Sequence, residues 1–143
     1  MSIKFYKTRD PYGFMSNYYK SRFFVFGKWW NFSEAPYQAA KTTVASEIDA
    51  IHKAAKANDA RLLGQQVTMR PDWDEAKYQV MKEVCVAKFL QHADLRKQLM
   101  DTGDQELIED SPVDYYWGCG KDGTGKNMLG KILMEIREEL KGE

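Results

Sequence analysis

The sequence predicts an α+β domain dominated by helices, with a small β element near the N-terminus. Two long stretches repeat apolar residues at the helical period, from Trp73 to about Gln91 and from about Asn127 to Leu140. Strand-like runs are short and confined to the first thirty residues. No internal repeat, low-complexity tract or linker interrupts the 143 residues, so residues 1–143 are expected to form a single domain.

Ile3-Lys4-Phe5-Tyr6 reads as a short strand, and Arg9 to Gly13 as a turn marked by Pro11 and Gly13. Phe23 to Phe26 and Lys28 to Trp30 flank Gly27 and predict a hairpin or two short strands. Ser33 has the chemistry of an N-cap for a helix from Glu34 to about Thr43, in which Pro36 falls where a missing N–H does no harm. Glu47 to Ala57 is alanine-rich and helical in pattern. Ala60 to Gly64 predicts a short helix ended by its glycine. Asp72 and Glu75 have capping-box spacing at the head of the longest helix. Ala93 to Met100 follows as a short helix stopped by Gly103, and Leu107 to Asp110 reads as a turn or short helix. The last helix carries the stripe Leu129, Ile132, Leu133, Ile136 and Leu140.

The charge balance, 21 basic against 21 acidic side chains, implies no broad basic field, which argues against tight non-specific nucleic-acid binding but leaves room for a local cationic patch. Aromatic residues make up 13%, enough that some rings are expected outside the core. No apolar run reaches membrane-spanning length, and Met1 to Lys7 lacks the run of a signal peptide. Two cysteines, Cys85 in a helical pattern and Cys119 in a loop, make no disulfide framework. They suit a soluble, cytoplasmic protein. His52 and His92 are too scattered to form a metal site with them, and no metal or cofactor is expected.

The chemistry concentrates in a few places. Asp114 precedes Tyr115, Tyr116 and Trp117, and Gly118 to Asn127 then forms a glycine-rich loop ahead of a helix. Gly120, Gly125 and Lys126 have the spacing of a phosphate-cradling loop, but Asn127 replaces the hydroxyl that would hold magnesium. A true nucleotide triphosphatase is thereby excluded. Backbone amides with Lys126 or Lys121 at a helix start are still expected to receive a phosphate. Glu34 begins a helix beside Trp30, Phe32 and Tyr37. With Asp114 and Trp73 it would give a cleft of two carboxylates and an aromatic wall, the equipment for cleaving a bond at a sugar carbon. Each residue also has a plain structural alternative: a dipole-stabilised helix start for Glu34, a turn cap for Asp114 and a core ring for Trp73. Lys41 either pairs with a carboxylate or is solvated.

These segments resemble the NADAR family of YbiA-like proteins. The resemblance runs through Gly13–Tyr18, Trp30–Lys41, Ala60-Arg61 with Gly64, Trp73–Phe89, Asp114–Gly118, Gly125–Gly130 and Leu133–Arg137. It implies an N-glycosidase that hydrolyses a ribose C1–N bond. It implies catalytic roles for Glu34, Trp73 and Asp114, and substrate contacts from Asn17, Trp30, Lys41, Arg61, Trp117, Gly118, Lys126 and Asn127. The implied partner is a phosphorylated ribosyl small molecule, either an ADP-ribosylated guanine or a phosphoribosylamino-pyrimidine of riboflavin synthesis, with an ADP-ribosylated nucleic acid as a further form. A non-catalytic module binding ADP-ribose or a nucleotide is the alternative. Two positions depart from the family pattern. Ala35-Pro36 replaces a histidine and an aromatic after the glutamate, and Met15 replaces an aromatic before Ser16-Asn17. Both bear on the shape of the base pocket.

Overall fold

The structure, a computed structural model, describes residues 1–142. In chain order its elements are β1 (Ser2–Phe5), a 3-10 turn (Gly13–Met15), β2 (Phe23–Val25), β3 (Lys28–Trp30), α1 (Glu34–Ala39), α2 (Ala45–His52), α3 (Ala57–Gly64), α4 (Trp73–Gln91), α5 (Ala93–Met100), β4 (Glu106–Glu109) and α6 (Met128–Leu140). This is the helix-dominated α+β class that the periodicity predicts. Contacts divide the chain into two compact units, Met1–Ser16 with the segment from His92 onward, and Asn17–Gln91.

In the first unit β1 and β4 pair in parallel, with Ile3 opposite Leu107. The strand Glu106–Glu109 therefore stands where a turn or short helix over Leu107 to Asp110 was expected. Its partner lies about a hundred residues away, where a local pattern cannot reveal it, and the pairing buries Leu107 completely. The far edge of β4 is completed by a side chain. Asn127 sits in the left-handed region at φ 53°. Its Nδ2 donates to the Leu107 carbonyl at 2.8 Å, and its Oδ1 accepts from the Glu109 amide at 2.9 Å. Gly130 makes this possible, because a Cβ there would collide with the Leu107 carbonyl and the Asn127 amide. Helix α6 then packs on β4 through buried Leu129, Ile132, Leu133 and Ile136. Buried Arg137 donates to Thr102 Oγ1 at 2.9 Å.

In the second unit β2 and β3 form the expected hairpin, with Phe23 opposite Trp30. The two turn residues, Phe26 and Gly27, both take positive φ, 53° and 77°, the pattern of a type I′ turn whose twist suits a hairpin. A side-chain amide again completes an edge. Gln91 Nε2 donates to the Phe24 carbonyl and Gln91 Oε1 accepts from the Phe24 amide, each at 2.8 Å. Trp30, Phe32, Ala35, Ala39, Ile51 and Ala60 form one buried cluster, which α1, α2 and α3 build by packing on one another.

Three expected helix ends are made differently. Ser33 is itself helical and makes no side-chain cap. The first amide of α1, that of Glu34, instead donates to the Asn17 carbonyl at 3.0 Å. Asp72 turns from the head of α4 to meet Arg70 with both oxygens, at 2.6 and 2.7 Å, because a guanidinium fork offers two charge-assisted bonds where a cap offers one. Gly64 ends α3 without positive φ. It is a close-packing glycine, for a Cβ there would strike the Gln38 side chain.

Lys88 of α4 is 1% exposed, its ammonium 5.6 Å from the Tyr19 ring centre and 5.3 Å from that of Phe89. Burial pushes its pKa down to about 8, with Cys85 opposing the shift. A lysine whose folded pKa is depressed binds its proton less well folded than unfolded, so stability rises with pH between the two values. We expect the parent to gain stability relative to Lys88→Met as pH rises from about 8 towards 10, the window between the folded value and that of free lysine. Urea melts of both proteins across that range check this. A difference that stays constant with pH would contradict a Lys88 pKa lowered by burial.

Candidate active site

The second unit brings Glu34, Tyr37, Gln38, Lys41 and Trp73 together. Glu34 opens α1 and is 8% exposed. Ionised carboxylates tolerate such burial only with partners. Gln38, one turn on, supplies one: its Nε2 donates to Glu34 Oε2 at 2.6 Å. Positions i and i+4 lie on one helix face, so the spacing Glu34–Gln38 was the signal for this contact, which the sequence reading missed. Gln38 is 4% exposed and lies against Gly64, where any side chain would displace it. The glycine thus sets the amide, and the amide sets the carboxylate.

Lys41 stands one turn beyond Tyr37, its ammonium 5.8 Å from the Tyr37 ring centre. Burial lowers its pKa, the Glu34 carboxylate raises it, and Lys77 lowers it further. A carboxylate thus shares its surroundings with two ammonium groups, one of them, Lys77, also 3.7 Å from Asp74. Tyr37 and Trp73 pack at 5.3 Å between ring centres, and both rings are buried. Trp73 therefore acts as a wall behind Tyr37. Asn17 is buried as well, its Nδ2 on the Met81 sulfur at 3.3 Å. Its Oδ1 and the Ser33 hydroxyl have no hydrogen-bond partner among the described residues. The Asn17 carbonyl holds the Glu34 amide, so both acceptors belong to the start of α1.

The departure at Ala35-Pro36 leaves α1 intact. Pro36 falls in the first turn, where amides have no intrahelical partner, and both residues are buried. Trp30 is tied into the hairpin and the core of this unit. It is 3% exposed, its indole N–H donates to the Val25 carbonyl at 2.9 Å, and its ring meets His52 edge-on at 4.9 Å. Arg61 is directed at Asn58 Oδ1, 3.1 and 3.3 Å away.

The first unit holds the remaining candidates. Asp114 Oδ1 accepts from the amides of Tyr116 and Trp117 at 3.0 and 2.7 Å, and the Asp114 amide donates to Ser111 Oγ at 3.2 Å. That oxygen shapes the turn, and Oδ2 is the atom left for a ligand. Trp117 packs against Tyr116 at 4.7 Å. Gly118 is buried where a Cβ would press on the Asp114 and Glu109 carbonyls and on the Ser111 side chain.

The expected amide cradle for phosphate is not formed. The amides of Gly125, Lys126, Asn127, Met128 and Leu129 donate to the carbonyls of Cys119, Tyr115, Gly118, Tyr116 and Trp117, at 2.7 to 3.1 Å. Those of Lys121 and Thr124 go to the Tyr115 hydroxyl and Asp122 Oδ1. The glycines let the loop pair with the aromatic segment before it rather than open towards an anion. Asn127 likewise spends both ends of its amide on β4. Lys126 keeps an exposed ammonium, 5.9 Å from the Tyr116 ring centre. Cys119 lies 3.5 Å from Asp110 Oδ1, and burial followed by that carboxylate raises its pKa. Among the described residues no cluster of three or more His, Cys, Asp or Glu could hold a metal, and no helix is long and apolar enough to cross a membrane.

Comparison with known proteins agrees with this fold. The NADAR domain model matches residues 4–141. An N-glycosidase of Nostoc punctiforme, Npun_R5314, is 44% identical over 146 residues, covering 99% of this chain and 94% of its own. The solution structure of the Escherichia coli protein YbiA superposes with a TM-score of 0.90 at 39% identity, covering 99% of this chain and 87% of YbiA. A riboflavin biosynthesis protein of Vibrio vulnificus, VVA0006, is 41% identical over 140 residues, covering 96% of this chain and 38% of its own. The chain belongs to the NADAR family, and it is an enzyme, an N-glycosyl hydrolase.

If Gly64 acts through Gln38, Gly64→Ala lowers turnover by about tenfold or more, the scale of a misplaced catalytic group. In a Gln38→Ala background, where the amide is gone and only the Cβ contact remains, the same change lowers turnover less than in the parent. A double-mutant cycle of turnover and urea stability checks this. Additive losses of turnover would show that Gly64 works by another route.

Proposed function

We propose that the protein hydrolyses the C1–N bond of a ribose that carries phosphate, the base being a guanine bearing ADP-ribose or an amino-pyrimidine of riboflavin synthesis. The buried Glu34 carboxylate, held by Gln38 and faced by Lys41, is the observation that carries the reading. The reaction breaks C1–N and forms C1–O to water. Positive charge builds on C1 and the ring oxygen as the base departs, and a fixed carboxylate in a poorly solvated site stabilises it. Glu34 also takes a proton from the attacking water, and the departing base nitrogen gains one. Lys41, and Lys77 shared with Asp74, bring ammonium groups beside that carboxylate, which suits the substrate phosphate. The family resemblance makes Asn17, whose carbonyl holds the Glu34 amide, a substrate contact as well. Trp73 backs Tyr37 as the aromatic wall. The family resemblance gives Asp114 a part in the same reaction, through Oδ2, and Lys126 a phosphate contact.

The relatives support this reading in two ways: N-glycosidases match along the whole chain, and a riboflavin biosynthesis protein contains a matching segment. Incubation with ADP-ribosylated guanosine and, separately, with the phosphoribosylamino-pyrimidine, followed by chromatography of the freed base, tests it. At least one substrate should release base. Glu34→Gln, which keeps the shape and removes the charge, should slow that release by about 100-fold or more. Asp114→Asn, which keeps the acceptor for the Tyr116 and Trp117 amides, should slow it without lowering the melting temperature. Release from neither substrate would overturn the reading. Turnover of Glu34→Gln within about threefold of the parent would remove Glu34 from the mechanism.

A further inference from the structure

Lys41 lies just past α1, which ends at Ala39 and is capped by Ala40. There the chain leaves the helix, so the place of the lysine depends on what holds its backbone. Arg70 does so. The Arg70 amide donates to the Lys41 carbonyl at 2.7 Å, and the Arg70 carbonyl accepts from the Trp73 amide at 3.3 Å. The Trp73 ring packs on Tyr37 at 5.3 Å between centres. The Lys41 ammonium lies 5.8 Å from the centre of that same Tyr37 ring. Lys41, Arg70, Trp73 and Tyr37 thus form a closed circuit of contacts, all within Asn17–Gln91. Two of them, Lys41 and Trp73, are residues that the family resemblance assigns to the site.

The Arg70 side chain locks its own backbone into this circuit. Its Nε and Nη2 donate to the two Asp72 oxygens at 2.6 and 2.7 Å, and its Nη1 donates to the Ala40 carbonyl at 3.4 Å. The guanidinium therefore ties the end of α1 to the residue just before α4. All three of its nitrogens are engaged by protein, so the fork is not turned to an anion. A second tie lies two residues earlier. Thr68 donates its amide and its hydroxyl to Glu47 at 3.0 to 3.1 Å, and Glu47 also accepts from the Thr42 hydroxyl at 2.6 Å. Both neighbours of Lys41, Ala40 and Thr42, are in this way fastened to the segment from Thr68 to Asp72.

We propose, on the reading that Lys41 meets the substrate phosphate, that Arg70 is a positioning residue: its fork on Asp72 holds the segment that fixes Lys41, and so sets the ammonium where the phosphate is received. A guanidinium suits this task because it is planar and two-pronged, and so fixes an angle as well as a distance. A lysine at position 70 would keep the charge without the angle. An ammonium ordered beforehand loses less freedom when the phosphate arrives, and its side chain is the long, flexible kind for which that loss is large. Arg70 touches no substrate atom in this scheme. It acts through Lys41.

Two NMR measurements on the full chain test the proposal, and the first needs no ligand. In the parent, burial lowers the Lys41 pKa, Glu34 opposes the shift and Lys77 adds to it. Released by Arg70→Gln, the ammonium regains water, so with isotope-labelled lysine its signal should titrate at higher pH than in the parent. The second is the affinity for ribose 5-phosphate, the fragment that both candidate substrates share, set against that for ribose. Lys41→Ala should weaken ribose 5-phosphate by about tenfold, the loss of one charge-assisted hydrogen bond. Arg70→Gln should weaken it by about threefold or more, the scale of a displaced binding group. Joined in one chain, the two should add no more than about twofold to Lys41→Ala alone, because Arg70 acts through it. Arg70→Lys should follow Arg70→Gln rather than the parent. Asp72→Asn, at a side chain 59% exposed, breaks the fork from its other side and should reproduce both effects in smaller measure. Ribose should bind all the variants alike. A Lys41 titration that stays in place would overturn the proposal. Additive losses would also overturn it, marking a direct contact of Arg70 with the phosphate, and so would equal losses for ribose and ribose 5-phosphate, marking general damage to the fold. If Lys41→Ala binds ribose 5-phosphate as the parent does, the proposal falls with the phosphate reading of Lys41, and a titration that still shifts locates the fault in that reading rather than in the hold of Arg70.

Discussion

The hydrogen bond from Gln38 to Glu34 is the contact on which the proposed chemistry rests. An ionised carboxylate that is nearly out of water is unfavourable by several kcal/mol unless donors and opposite charge compensate it. Gln38 gives it a donor at 2.6 Å, and Lys41 gives it a charge. The arrangement needs α3 to come close to α1, and only a residue without a side chain at position 64 leaves room for the Gln38 amide. The carboxylate is thereby fixed before substrate arrives, which is what stabilising a developing cation requires. The same helix start is held from outside by the Asn17 carbonyl rather than by a cap of its own.

Side-chain amides recur as the connectors of this small β content. Neither two-stranded sheet has enough strands to satisfy its own edges, and unpaired backbone groups are costly when buried. Asn127 serves one edge of β4, and Gln91 serves the outer edge of β2. Each substitutes for a missing strand over one residue pair. The glycine-rich loop behaves in the same way. Its amides pair with the aromatic segment before it, and this consumes the donors that would have met a phosphate.

Much of the fold was legible because its helices announce themselves locally. The stripe of α6 and the length of α4 follow from period alone, and the hairpin follows from Gly27 between aromatic runs. What escaped was set by distant partners. Strand β4 looks like a turn until β1 pairs with it, and Gly64 looks like a helix stop until Gln38 packs on it. Asp72 looks like a cap until Arg70 reaches it. At the site, Glu34, Trp73 and Lys41 could be picked from sequence, and they do cluster with Tyr37. Gln38 was missed although its spacing from Glu34 is that of helix neighbours. For Trp30, Asn127 and the loop amides, sequence shows a donor but not whether a backbone carbonyl already holds it.

The most direct test of this account is the pH dependence of turnover in the parent and in Gln38→Met, which keeps the length of the side chain and removes its N–H donor. A donor to the charged form favours ionisation, so its loss makes Glu34 harder to ionise. The acid limb of the rate profile should therefore move to higher pH in Gln38→Met, with turnover partly recovered as the pH is raised. An acid limb that stays where the parent has it would contradict the claim that Gln38 holds the working carboxylate.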